Sequence, residues 1–258
     1  MLTRVLPVII ALVLGAAALA SSAGGSRELS PSSQRLPDLD QERPWNLEVT
    51  RDRARGGYRL GFSSAVRNVG DGPLTVSGRR RARTPTMTVD QLIEQEDAPT
   101  AVVEGVGRMR YVRSPDHEHW HLLGFERYEL RRAGAKAGLV TDRKTGFCLG
   151  DRYRVRGREL PARPPEPVYT GRCGLERTAL LRLTVGISVG YGDDYDPNLE
   201  GQSLRLTGLD AGRYRLVHRV NVDRRLRESS YANNASSLLI RLRWRSGRPS
   251  VRVLAATG

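Results

Sequence analysis

Three of the four histidines in this 258-residue chain fall within five positions, as His117-Glu118-His119-Trp120-His121. On a β-strand, side chains at i, i+2 and i+4 share one face, so this spacing would line up three imidazoles. Neutral imidazoles are ligands for copper or zinc, and spacing alone does not choose between the two metals. The remaining histidine, His218, falls on the apolar side of an alternating run and reads as a packed histidine rather than a fourth ligand. Lysine is scarce: of 42 Lys+Arg, only Lys136 and Lys144 are lysine. A guanidinium stays protonated and is a poor nucleophile, whereas a lysine amine can add to an electrophilic carbon. Lys136 sits in a Gly/Ala turn; Lys144 opens the motif Lys144-Thr145-Gly146-Phe147-Cys148-Leu149. The only two cysteines, Cys148 and Cys173, can pair in an oxidising compartment. Closing their loop of about 25 residues would stabilise the fold by roughly 3.5 kcal/mol on the chain-entropy account. So few cysteines exclude a four-thiolate zinc site and a disulfide-dense mini-scaffold.

Taken in order, His117-x-His119-x-His121 with Phe125, the Lys144–Leu149 motif, and Tyr191-Gly192-Asp193-Asp194-Tyr195-Asp196 resemble the lysyl oxidase family of copper amine oxidases, in a microbial-type secreted form. Leu36-Pro37-Asp38-Leu39, Leu60-Gly61-Phe62, Val66-Arg67-Asn68 and Glu228 to Asn234 extend the resemblance from about residue 36 to 245. The resemblance implies copper held by His117, His119 and His121. It implies a second cofactor made from the chain itself, lysine tyrosylquinone, in which the oxidised ring of Tyr191 is joined to the amine of Lys144. The activity it implies is conversion of a primary amine, protein lysine side chains included, to an aldehyde with release of hydrogen peroxide and ammonia. Asp194 or Asp196 is then the candidate base. A calcium site from Asp38, Leu39, Glu228, Asn233 and Asn234 is also implied, although Ser230 stands where an acid would supply a further ligand. A turn-forming segment before a strand accounts for Glu228 to Asn234 equally well. Two rival readings use fewer of these residues. One is a non-catalytic copper- or zinc-binding extracellular β-sandwich without a crosslink; the other is a cell-wall adhesion module working through arginine.

The elements that would position these residues read as mainly β. Leu60, Phe62, Ser64 and Val66 alternate before the Gly70-Asp71-Gly72-Pro73 turn. Leu181 to Tyr191 alternates as one run, Tyr214 to Val222 as another, and Leu238 to Trp244 as a third. Short alternating strands with Gly-rich turns predict an antiparallel β-sandwich with long loops and little helix. Asp90 to Glu96 is the one helix candidate, and Arg158 to Arg172 a long loop. With 39% hydrophobic residues and 27% charged residues the chain can build a core and is not wholly disordered.

Arg4, the apolar run Val5 to Leu19 and Ala18-Leu19-Ala20 predict a signal peptide over 1–20, followed by a flexible tether over 21–35, a catalytic domain over 36–245 and a C-terminal tail over 246–258. Export makes the chain secreted or cell-surface, and after cleavage no stretch is long enough to span a membrane. It also changes the meaning of the net charge of +14. Outside the cell that excess suggests attraction to anionic cell-surface polymer, or solubility alone, rather than nucleic acid. The densest cluster, Arg79, Arg80, Arg81 and Arg83, reads as a solvated loop.

Overall fold

The computed structural model describes residues 34–257, apart from 83, 115–116, 142–145 and 200; the side chains of 114, 117 and 257 are also outside the description. The expected leader and most of the tether lie outside the described residues, as does Lys144. Among the described residues there is no helix. The strands are β1 (Gln34–Arg35), β2 (Leu39–Gln41), β3 (Trp45–Arg51), β4 (Tyr58–Asn68), β5 (Leu74–Arg79), β6 (Thr86–Gln95), β7 (Ala101–Ser114), β8 (His117–Leu123) and β9 (Glu126–Arg132). They continue as β10 (Val140–Thr141), β11 (Gly146–Phe147), β12 (Tyr153–Arg154), β13 (Arg182–Ile187), β14 (Tyr191–Tyr195), β15 (Ser203–Arg205), β16 (Gly212–Val220), β17 (Ala235–Arg245) and β18 (Arg248–Thr257).

Three antiparallel sheets result. The first runs β11-β8-β7-β6-β5-β13 with β1 added on β6; the second runs β10-β9-β16-β17-β18; the third runs β12-β14-β4-β15, with β2 and β3 also on β4. The mainly β, antiparallel expectation is therefore met. Alternation explains how the sheets share one core. Met87, Val89 and Met109 of the first sheet face inward with Trp120 and Leu122, while Leu60, Phe62, Tyr128, Leu216 and Ile240 come from the other two. Phe62 packs 5.1 Å from Tyr128, and both lie against His218, at 4.7 and 4.5 Å.

Several sequence-based boundaries move. Asp90–Gln95 belongs to β6, because β5 and β7 pair with it on both edges and Gln91 and Ile93 are fully buried. Gln, Leu and Glu favour helix only weakly, and pairing on both sides overrides that preference. The expected tail is β18, in register with β17 from Arg245↔Arg248 outward. Gln34 and Arg35, at the end of the expected tether, pair with β6. The run from Leu181 to Tyr191 is two strands in different sheets, broken at Gly190, whose φ of +73° a side chain would strain. Arg158 to Arg172 carries no strand, as expected.

Asn68 ties the turn after β4 together. Its Oδ1 accepts from the Asp38 and Gly70 amides, and its Nδ2 donates to the Gly72 and Ile187 carbonyls. Each polar valence of this buried amide is used, so its hydrogen bonds offset the cost of removing it from water.

Candidate active site

β8 carries the histidines on the face opposite Trp120 and Leu122, which enter the core. His119 and His121 sit with ring centroids 4.7 Å apart. His117 belongs to the same alternation at the start of β8, and its side chain lies outside the described residues. Their cross-strand partners on β7 are Val112 for His119 and Arg110 for His121. The two described rings are close enough to ligate one ion, and imidazole is a suitable donor for copper. No three described His, Cys, Asp or Glu side chains converge as a metal-holding group.

The free edge of β8 is closed by two segments. β11 pairs Gly146 with Leu123 and Phe147 with Leu122. A Cβ on Gly146 would lie 2.6 Å from the Cβ of His121, so glycine is what lets this segment approach the histidine strand. Further along, Trp120 N donates to Cys173 O at 2.9 Å and Glu176 N to Glu118 O at 2.8 Å. The Cys148–Cys173 disulfide, with Cα atoms 5.7 Å apart, joins these two edge segments. The pairing expected from the cysteine count is present, and it fastens the strand that carries the histidines.

Arg80 completes this clamp. Its guanidinium lies 4.6 Å over the Trp120 ring and donates to the carbonyls of Leu180, Thr178 and Thr84. Trp120 Nε1 donates to Arg177 O at 3.1 Å. The arginine cluster is thus not simply a solvated loop: Arg79 closes β5 and pairs with Asp90 at 2.8 Å, and Arg80 holds the strap after Cys173.

Tyr191 opens β14 and is buried, its hydroxyl donating at 3.3 Å toward the carbonyls of Pro164 and Pro165. The long loop therefore lies over the tyrosine. The Lys144 partner expected from the motif falls outside the described residues, three positions after the described end of β10. Asp194 and Asp196 are both exposed, and Asp194 alternates to the opposite face of β14 from Tyr191. Even with this exposure, desolvation by the surrounding chain, then Asp196, raises the Asp194 pKa.

The inward carboxyl is Asp193, which shares its face with Tyr191 and Tyr195. It is fully buried, and burial pushes its pKa up to about 8 despite hydrogen bonding to Tyr195 and the nearby Arg152. Tyr195 Oη lies 2.6 Å from Asp193 Oδ2 and 3.0 Å from Cys148 O. Arg152 Nε is 3.4 Å from Asp193 Oδ1, and Arg152 Nη2 reaches the Cys148 sulfur at 3.3 Å. Alternation within Tyr191-x-Asp193-x-Tyr195 signals this inward acid. Glu126 is a second buried carboxyl, accepting from Tyr128 at 2.9 Å, while Tyr128 also meets Ser64 at 2.8 Å. Its signal was weaker, since it adjoins Phe125 at the start of a strand.

The implied calcium residues do come together. Glu228 accepts from Leu39 N at 2.8 Å, Asn221 Nδ2 at 2.6 Å and Asn234 Nδ2 at 2.7 Å, and burial raises its pKa to about 7. Asn233 Nδ2 donates to Asp38 Oδ1 at 2.8 Å. The Oδ1 atoms of Asn233 and Asn234 are buried with no hydrogen-bond partner. Two orphaned oxygens beside two carboxylates suit a hard, oxygen-seeking cation. His218 is fully buried against Phe62 and Tyr128; burial lowers its pKa to about 3, and it takes no part in the histidine face of β8.

Comparison with known proteins gives the chain's family. The lysyl oxidase family model matches residues 107–248, from the strand beside the histidines to the start of β18. Pig protein-lysine 6-oxidase is 28% identical over 126 residues, 48% of this chain and 44% of that protein. Human lysyl oxidase homolog 1 is 28% identical over 119 residues, 46% of this chain and 18% of that protein. Chicken protein-lysine 6-oxidase is 29% identical over 119 residues, covering 46% and 24%. The chain spans less than half the length of these relatives. With more than half of its length matched by the family model, and with its histidine strand and disulfide inside that match, the chain belongs to the lysyl oxidase family.

Proposed function

We propose that this chain is a secreted copper-dependent amine oxidase. It converts a primary amine, dioxygen and water into an aldehyde, ammonia and hydrogen peroxide. The observation that carries the reading is the His119–His121 ring pair on one face of β8, with the glycine-bearing segment after Lys144 hydrogen-bonded along the same strand. The family, and the similarity to protein-lysine 6-oxidases, support protein lysine side chains as the substrate class.

His117, His119 and His121 are the proposed copper ligands, and Lys144 and Tyr191 the proposed precursors of lysine tyrosylquinone. Once formed, that quinone supplies an electron sink that acidifies the carbon next to the substrate nitrogen. The chain's own residues do the positioning. Gly146 lets β11 approach His121, and the disulfide at Cys148 holds β11 on the strand. The Pro164 and Pro165 carbonyls orient the Tyr191 hydroxyl within its buried site. Asp38, Glu228, Asn233 and Asn234 form a proposed calcium site that anchors β2 to the segment before β17. The leader over 1–20 and the extracellular location belong to the same proposal; no helix among the described residues is long and apolar enough to cross a membrane.

The test is copper content and peroxide release from a primary amine. Copper-loaded wild type should retain one copper per chain and release peroxide, and replacing His119 or His121 with Ala should remove both. Full copper occupancy in the triple His→Ala protein would end the assignment of the metal to this strand.

A further inference from the structure

The face of the first sheet that carries His119 and His121 continues across four more strands as a row of basic residues. Cross-strand registers place Arg182 opposite Arg79, Arg79 opposite Thr88, and Thr88 opposite Arg108. Directly paired residues share a sheet face. Arg108 is two positions before Arg110, the partner of His121, so the row begins about 7 Å along β7 from the histidine pair. Together with Arg81 and Thr86, these side chains line an open groove of about 610 Å³.

Among the described residues, the charge in this groove is only partly balanced. Arg79 is answered by Asp90 at 2.8 Å and more weakly by Glu104 at 3.8 Å. Arg80 is occupied by Trp120 and three carbonyls. Arg81, Arg108 and Arg182 are exposed, and none forms an ion pair among the described residues. Guanidinium forks bind carboxylates in two-point fashion and remain charged at any working pH. An open groove with three uncompensated forks and threonine hydroxyls between them is complementary to a chain of carboxylates. The same groove repels a bare cationic segment.

We propose that this groove docks an acidic stretch of the polypeptide that carries the target lysine. The proposal rests on the amine oxidase reading, because the groove shares its sheet face with His119 and His121, the proposed copper ligands. Acidic residues flanking the lysine would lie on Arg81, Arg108 and Arg182 while the amine reaches past Arg110. Specificity then comes from the flanks rather than from the amine, which is shared by all substrates.

The test uses the full-length, copper-loaded protein with a labelled Glu-rich peptide holding one central lysine, n-butylamine and polyphosphate. Arg81→Ser, Arg108→Ser and Arg182→Ser are combined; Arg79 is kept because it neutralises the buried Asp90. The charge-matched control replaces Arg213, Arg241 and Arg252, which are cross-strand partners on β16, β17 and β18 in the second sheet. The groove variant should bind the peptide roughly tenfold more weakly and raise its KM by a similar factor with kcat unchanged. Butylamine oxidation should not change, and the control variant should lose about twofold or less. Equal loss in both variants would reduce the effect to net charge and overturn the proposal. Loss of polyphosphate binding with peptide binding intact would also overturn it, reassigning the groove to a phosphate polymer. Wild type that binds the peptide through the groove yet oxidises neither amine would remove the amine oxidase reading and leave the acidic-segment site standing.

Discussion

Tyr195 has one hydroxyl proton and two oxygens in hydrogen-bond range, Cys148 O and Asp193 Oδ2. A protonated Asp193 could donate to the phenol oxygen, which would free the Tyr195 proton for Cys148 O. Burial, which pushes the Asp193 pKa up to about 8, acts in the same direction. In the unfolded chain this carboxyl ionises near 3.9, so between about pH 4 and pH 8 the folded state holds a proton that the unfolded state has lost. Stability from this group is complete below pH 4 and declines as pH rises to about 8, with a slope approaching 1.4 kcal/mol per pH unit. Asp193→Asn mimics the protonated acid, since its amide can donate to Tyr195. We expect urea midpoints to fall less with rising pH in the variant than in wild type; identical pH slopes would show that Asp193 is not the titrating group. His218 gives a second residue-scale prediction. Both of its ring nitrogens are buried without a partner, so neither bonding nor ligation holds it in place. His218→Leu should change stability by about 1 kcal/mol or less and leave copper content unchanged, as metal analysis and thermal unfolding would show.

At the scale of the strand, the histidines depend on what closes the edge of β8. Removing the disulfide by Cys148→Ser with Cys173→Ser should cost about 2–5 kcal/mol. It should also speed copper loss to a chelator, because the two edge segments are no longer joined. Gly146→Ala tests the same edge sterically. Its new methyl would meet the Cβ of His121 at 2.6 Å, so copper affinity should drop while the core, measured by thermal unfolding, suffers less than in the disulfide variant. The histidine strand was legible in the sequence because a period of two is local: five residues define which side chains share a face. The helix expected over Asp90 to Glu96 failed because its conformation is decided by β5 and β7, partners that a local pattern does not contain. Gly190 hid a boundary in the same way, since the alternation on its two sides happened to be in phase although the strands lie in different sheets. The Asp193, Tyr195, Arg152 and Cys148 cluster joins positions about forty residues apart, and only folding brings them together.

For the whole molecule, the first sheet carries the histidine pair and the arginine groove on one face, and the groove gathers five of the chain's arginines. The proposed calcium site would add a long-range contact, because Glu228 and Asn233 already meet Leu39 and Asp38 across about 190 residues of sequence. Added calcium should raise the unfolding temperature, and Glu228→Gln should abolish the increment; an equal increment in the variant would place the ion elsewhere. The family assignment and the β architecture were visible in the ordered motifs, while the C-terminal strand was not, because β18 is recognisable only once β17 is there to pair with it. The central claim is that Lys144 and Tyr191 become one covalent cofactor. A peptide map of copper-loaded, oxygen-exposed protein after disulfide reduction tests it most directly. The account predicts a single species containing both the Lys144 and the Tyr191 peptides, absent in Lys144→Arg and present in Lys136→Arg. Recovery of the two peptides separately from active-metal wild type would contradict it and leave a metal-binding β protein without the oxidase.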